Sequence, residues 1–78
     1  MALTDYLRTM IGGLVDHPDE VKITELNGAK TQVYELRCHS DDIGKVIGKN
    51  GKAIIAIRSL MSQVAARQGL RATVEVVE

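Results

Sequence analysis

Residues 43–52 read Ile43-Gly44-Lys45-Val46-Ile47-Gly48-Lys49-Asn50-Gly51-Lys52, and the rest of the chain is placed by what this stretch does. Two glycines, Gly48 and Gly51, enclose the pair Lys49-Asn50. Glycine reaches backbone conformations closed to other residues and lets a second chain approach with no β-carbon in the way. Ahead of the loop, a short helix runs through Ile43, Val46 and Ile47. Ser40, Asp41 and Asp42 supply its cap and first-turn acids, and Gly48 ends it. Behind the loop, Ala53, Ile54, Ile57, Leu60, Met61, Val64 and Ala65 gather on one side of a longer helix plotted at about 100° per residue. Arg67 and Gly69 are its stop signals. The loop therefore points at the start of a long helix, where free N–H groups and the positive end of the dipole attract an anion, and Lys49 and Lys52 add charge. Phosphate is the ligand such an arrangement suits. A tight helix-helix turn would use the same glycines for geometry alone.

Working outward, Arg71 to Val77 alternates, with Ala72, Val74 and Val76 on one face of a final strand. Upstream, Val21 to Leu26 and Gln32 to Cys38 are two strands of a hairpin whose loop contains Asn27-Gly28, a pair that tolerates positive φ. Tyr34, Leu36 and Cys38 share one face of the second strand, so Cys38 is expected to be a small buried apolar group. Leu3, Leu7, Met10, Ile11, Leu14 and Val15 recur at helical spacing, with Thr4 or a neighbour as N-cap, and this first helix must stop before Pro18. Gly12 and Gly13 weaken it by roughly 1 kcal/mol each if interior. The order is helix, strand, strand, helix, helix, strand: an α+β fold with three helices on one face of a three-stranded sheet.

The chain has 78 residues, enough for one domain over 1–78 and too few for a large enclosed cleft. It holds ten acidic and ten basic residues, but they are segregated. Lys45, Lys49, Lys52, Arg58, Arg67 and Arg71 fall in a stretch between Asp42 and Glu75 that has no acid, so a locally positive face is expected on a neutral molecule. A solvated helix face would give the same clustering. No span is apolar enough for a bilayer, no leader is evident, and the lone Cys38 suits a reducing compartment. A soluble, cytoplasmic protein is expected.

Enzymatic readings fit poorly. Gly44 and Gly48 enclose three residues where a P-loop needs four, and Asn50 follows Lys49 where Ser or Thr is required. A dinucleotide fingerprint needs another spacing and a preceding strand. Cys38-His39 are strand neighbours that point to opposite faces, and two histidines with one cysteine make no convincing zinc site. His17, beside Pro18, reads as an ordinary loop residue. The sequence predicts a binding protein with no catalytic residue, no cofactor and no small-molecule substrate.

The run from Ile43 to Gly51, followed by Ile54, resembles the KH signature, in which an apolar helix, Ile-Gly-x-x-Gly and a second helix form an RNA cleft. The element order is similar to the type II, bacterial arrangement of that fold. Leu14-Val15 leading to Pro18-Asp19-Glu20-Val21, and Ala56-Ile57-Arg58-Ser59-Leu60, are also similar to the small stand-alone bacterial KH proteins. The resemblance implies that Gly48, Lys49, Asn50 and Gly51 clamp the backbone of about four nucleotides of single-stranded RNA. Ile43, Val46, Ile47 and Ile54 would floor an apolar groove, with Lys45, Lys52 and Arg58 at its rim; core packing competes for those isoleucines. It further implies an RNA chaperone or post-transcriptional regulator. Tyr6 and Tyr34 are the only aromatic residues, too few for stacking platforms.

A protein-interaction adaptor is the rival reading. Ile55 lies off the core stripe of the long helix beside Ser59, Ser62 and Ala66, a strip that could receive another helix. The resemblance implies homodimers, and a larger multidomain KH protein as partner.

Overall fold

The α+β order follows from where each apolar period begins and is broken. In the computed structural model, which describes residues 2–78, helix α1 spans Leu3–Gly12. Leu3, Leu7 and Ile11, spaced four apart, are its buried side. Its N-cap is Ala2, two residues earlier than Thr4, and no side chain caps it. The helix also stops sooner than the apolar spacing predicts. Gly12 and Gly13 each cost about 1 kcal/mol in a helix interior, the chain turns at Gly13, and Leu14 is left 38% exposed.

Strands β1 (Lys22–Asn27) and β2 (Thr31–Arg37) form the antiparallel hairpin, paired through Ile23 with Leu36 and Glu25 with Tyr34. The turn is closed by the Gly28 N–H, which donates to the Thr31 carbonyl at 2.7 Å. Helix α2 covers Ile43–Ile47, helix α3 covers Lys52–Arg67, and β3 covers Arg71–Val76. Strand β3 lies parallel to β2, with Tyr34 beside Val74 and Leu36 beside Val76. The sheet order is β1-β2-β3, so β2 is central and α2 and α3 make the crossover that a parallel pair requires.

One sheet face is packed. Tyr34, Leu36 and Val74 point into a core completed by Leu3, Leu7 and Ile11 of α1, Val46 of α2, and Ile54, Ile57, Met61 and Ala65 of α3. The other face carries Glu35, Thr73 and Glu75, and is wet or only partly covered. Leu60 departs from its expected place: it sits at the margin of the α3 stripe and is 50% exposed. At 100° per residue it lies about 120° round the helix from Ile54, so the sheet does not reach it.

Tyr34 is wholly buried, but its hydroxyl reaches the hairpin edge and donates to Gln32 and, at 3.4 Å, to Glu25. Burial, with the Glu25 charge adding to it, pushes its pKa up to about 12. Cys38 follows β2, is half-buried, and has its thiol pKa raised by burial and then by the Asp42 charge. Among the described residues no helix is long and apolar enough to cross a membrane.

Candidate functional site

The Gly48–Gly51 turn is built from three left-handed or otherwise glycine-favouring conformations. Gly48 has φ 77° and ψ 170°, Asn50 has φ 57°, and Gly51 has φ 73°. At Gly48 glycine is required twice over. A β-carbon there would lie 2.6 Å from Ala53 Cβ and 2.8 Å from the Ala53 nitrogen, besides being strained at that φ. Asn50 is one of the few side-chain-bearing residue types that tolerates a left-handed backbone. The Gly48 N–H donates to the Gly44 carbonyl at 2.8 Å, closing α2, and the Gly51 N–H donates to the Gly48 carbonyl at 3.1 Å, closing the turn.

This geometry ends one helix and starts the next within a few residues, and leaves Lys49 and Asn50 exposed between the glycines. Helix α3 then begins with no side-chain cap and no acid in its first turn. Helix starts ordinarily satisfy their free N–H groups with such residues. Among the described residues Lys49 and Lys52 have no ion-pair partner. The start of α3 therefore combines a positive helix end, a backbone open to close approach and two unpaired cations, an arrangement that can hold a phosphate.

The remaining residues singled out from the sequence divide. Val46 is fully buried and Ile54 is 7% exposed, so both are core; Ile43 and Ile47 are half-buried beside them. The described residues form no pocket, so any apolar contact surface here is shallow. Lys45 and Arg58 are held within the chain. The Lys45 ammonium donates to Asp16 and, at 3.5 Å, to Asp42, and these contacts, the Asp16 hydrogen bond foremost, raise its pKa. Arg58 Nε donates to the Val74 carbonyl at 3.0 Å, tying α3 to β3.

Asp42 is the largest surprise. It reads as a cap or first-turn acid of α2, and it is completely buried. It accepts from the Asp16 N–H at 3.2 Å, the His17 N–H at 2.9 Å and the His17 Nδ1–H at 3.0 Å. Burial alone would raise its pKa; the hydrogen bonds from Asp16 and His17 outweigh it and hold the carboxyl at about 2. His17 is accordingly no ordinary loop residue: it fixes the α1–β1 connection to the start of α2, and its ring stacks on that of His39. The one hint in the sequence was the acid pair Asp41-Asp42, where a single cap would have been enough.

Comparison with known proteins agrees with this architecture. The family model for the KhpA/KhpB KH domain matches residues 4–76. The chain is 45% identical to the RNA-binding protein KhpA of Chlamydia pneumoniae over 76 residues, covering 97% of each chain. It is 39% identical to that of Aquifex aeolicus over 77 residues, covering 99% of this chain and 98% of the relative. It is 38% identical to that of Streptomyces coelicolor over 65 residues, covering 83% and 82%. With the helix-turn-helix around Gly48, the element order and the match over nearly its whole length in agreement, the chain belongs to the KhpA/KhpB KH-domain family.

Proposed function

We propose that this protein binds single-stranded RNA, with Gly48-Lys49-Asn50-Gly51 clamping the backbone of about four nucleotides. The observation that carries the reading is the turn itself: a backbone that only glycine allows at Gly48, opening onto an uncapped α3 with Lys49 and Lys52 unpaired. The relatives named as RNA-binding proteins point to RNA as the source of the phosphates. Bases would lie along the partly covered Ile43 and Ile47, while Val46 and Ile54 support them from the core. On this reading the chain is one KH domain over 1–78, a binding module with no chemical step, acting in the cytoplasm as an RNA chaperone or post-transcriptional regulator.

The test is the double variant Lys49→Asp with Asn50→Asp. Both positions are exposed and aspartate tolerates the Asn50 backbone, so the fold is retained, while two negative charges occupy the place of the phosphate. Titration of fluorescent single-stranded RNA should show binding lost at unchanged thermal stability. A normally melting variant with wild-type affinity refutes the clamp.

Protein association is a second use of the same domain. Ile55 is 61% exposed on α3, and Ser59, Ser62 and Ala66 beside it are exposed as well. That strip is a surface for a second copy or for a larger multidomain KH protein.

A further inference from the structure

We propose that His17, Glu20 and His39 form a binding site for one divalent transition-metal ion, zinc by the chemistry of the set, joining the α1–β1 connection to the β2–α2 connection. Each of the three residues offers one ligand atom, and these atoms lie within 4.8 Å of one another. The two rings face each other with centroids 4.0 Å apart and planes 13° from parallel. Two imidazoles with one carboxylate suit zinc, with water as the fourth ligand, whereas magnesium and calcium prefer oxygen alone.

The hydrogen bonds behind the rings give the arrangement its direction. A metal-bound imidazole commonly gives its other N–H to a carboxylate, which sets the tautomer and aims the free nitrogen. Here two consecutive acids stand behind two different rings. The ionised, buried Asp42 can only accept, so His17 carries its proton on Nδ1, 3.0 Å from Asp42 Oδ2, and Nε2 is left as a lone pair. His39 turns Nε2 toward Glu20 Oε2 at 3.8 Å. Its Nδ1 accepts the Asp41 N–H at 3.0 Å, which in the metal-free chain keeps the ring proton on Nε2. When the ion takes Nε2, that proton passes through solvent to Nδ1, and the Asp41 carboxylate 3.7 Å away receives its hydrogen bond. The Asp41 N–H, on an exposed residue, turns to water.

Ligand bonds of about 2.1 Å in a tetrahedron place donors roughly 3.4 Å apart, so the ligand atoms close by about an ångström, and because the ion lies in the plane of each imidazole that binds it, the two rings unstack as it enters. All three side chains are solvent-accessible, at 40% for His17, 29% for His39 and 56% for Glu20, so they can turn and an ion can enter. The bound ion would cross-link two connections far apart in sequence, at the end of α2 opposite the Gly48 turn.

The experiment uses the untagged full chain, stripped with chelator and titrated with Zn2+. One equivalent should bind, and the melting temperature should rise by about 10 °C once free Zn2+ reaches about a hundred times Kd. Co2+ should give the visible absorption of a tetrahedral site. His39→Gln should melt as wild type without metal but lose the Zn2+-dependent rise, Glu20→Gln should weaken binding at least about tenfold, and Cys38→Ser should change nothing; His17 is spared because it also holds Asp42. No Zn2+ uptake by the wild type, wild-type uptake by both His39→Gln and Glu20→Gln, or loss of uptake in Cys38→Ser would each overturn the assignment.

Discussion

His17 gives both its backbone N–H and its ring Nδ1–H to one oxygen of the buried Asp42 carboxylate, at 2.9 and 3.0 Å, across 25 residues of chain. The folded pKa of Asp42, about 2, lies below its unfolded value of about 3.9, so folding favours the ionised form. That stabilisation is complete above about pH 4 and is lost as the pH falls through 2. Urea midpoints at pH 7, 4, 3 and 2 should therefore fall steeply over the last two units in the wild type. In Asp42→Asn the midpoint should be lower at pH 7 and the fall between pH 4 and 2 shallower. Parallel curves for the two proteins would show that Asp42 does not govern the acid transition.

The two glycines of the turn should differ in what they tolerate. At Gly51 an added β-carbon meets nothing within 4 Å, so Gly51→Ala carries only the cost of a left-handed alanine, about 1–2 kcal/mol. At Gly48 the same change adds a collision with Ala53 to that strain, and should cost roughly 3 kcal/mol or more, or displace α2 from α3. Denaturant unfolding of the two variants decides it; equal losses would mean that α3 moves aside freely.

Lysines that differ by a few positions should divide between affinity and stability. Lys52 is unpaired, so Lys52→Ala should leave the melting temperature alone and flatten the plot of log affinity against log salt by about 0.7. The wild-type slope on single-stranded RNA should be roughly −1.5 to −3, for two to four phosphates. Lys45 is bonded to Asp16 and Asp42, and Lys45→Ala should lower the melting temperature with little change in slope. Filter binding and thermal melts on both variants check this, and the reverse pattern would put Lys45 on the RNA.

If α3 pairs with a second helix through Ile55, then Ile55→Glu should convert a dimer to a monomer in sedimentation while circular dichroism stays unchanged. The core stripe of α3, Ile54, Ile57, Met61 and Ala65, does not include the position. A wild type that is monomeric at high concentration, or a variant that stays dimeric, excludes this face.

Much of the fold was legible because the breaks in the sequence are sharp. The alternation read over Arg71 to Val77 placed β3 to within one residue of its observed end at Val76, and Gly48 and Gly51 marked where α2 stops and α3 starts. What was missed lay at margins or at long range. Leu14 and Leu60 fit a helical period, but period says nothing of where two glycines end α1 short of Leu14, nor of how far the sheet extends over α3 toward Leu60. The turn of the candidate site and its nearby cations were legible, but which cations have partners within the chain was not: Lys45 is bonded to Asp16 and Asp42, and Arg58 to the Val74 carbonyl, partners set by tertiary packing. Asp42 and His17 likewise find each other only once α1, the hairpin and α2 are in place, and no local pattern encodes that.

The sheet joins two kinds of pairing, and this orders the folding reaction. The hairpin of β1 and β2 closes through a short turn and can form early, whereas the ladder that sets Tyr34 beside Val74 must wait until both crossover helices have compacted. Val74 is fully buried and the Arg58 bond to its carbonyl forms only with it, so docking of β3 is the step that closes the core. Val74→Ala should accordingly act mainly by speeding unfolding in denaturant-jump kinetics, with folding little slowed, making this last strand the latch of the domain.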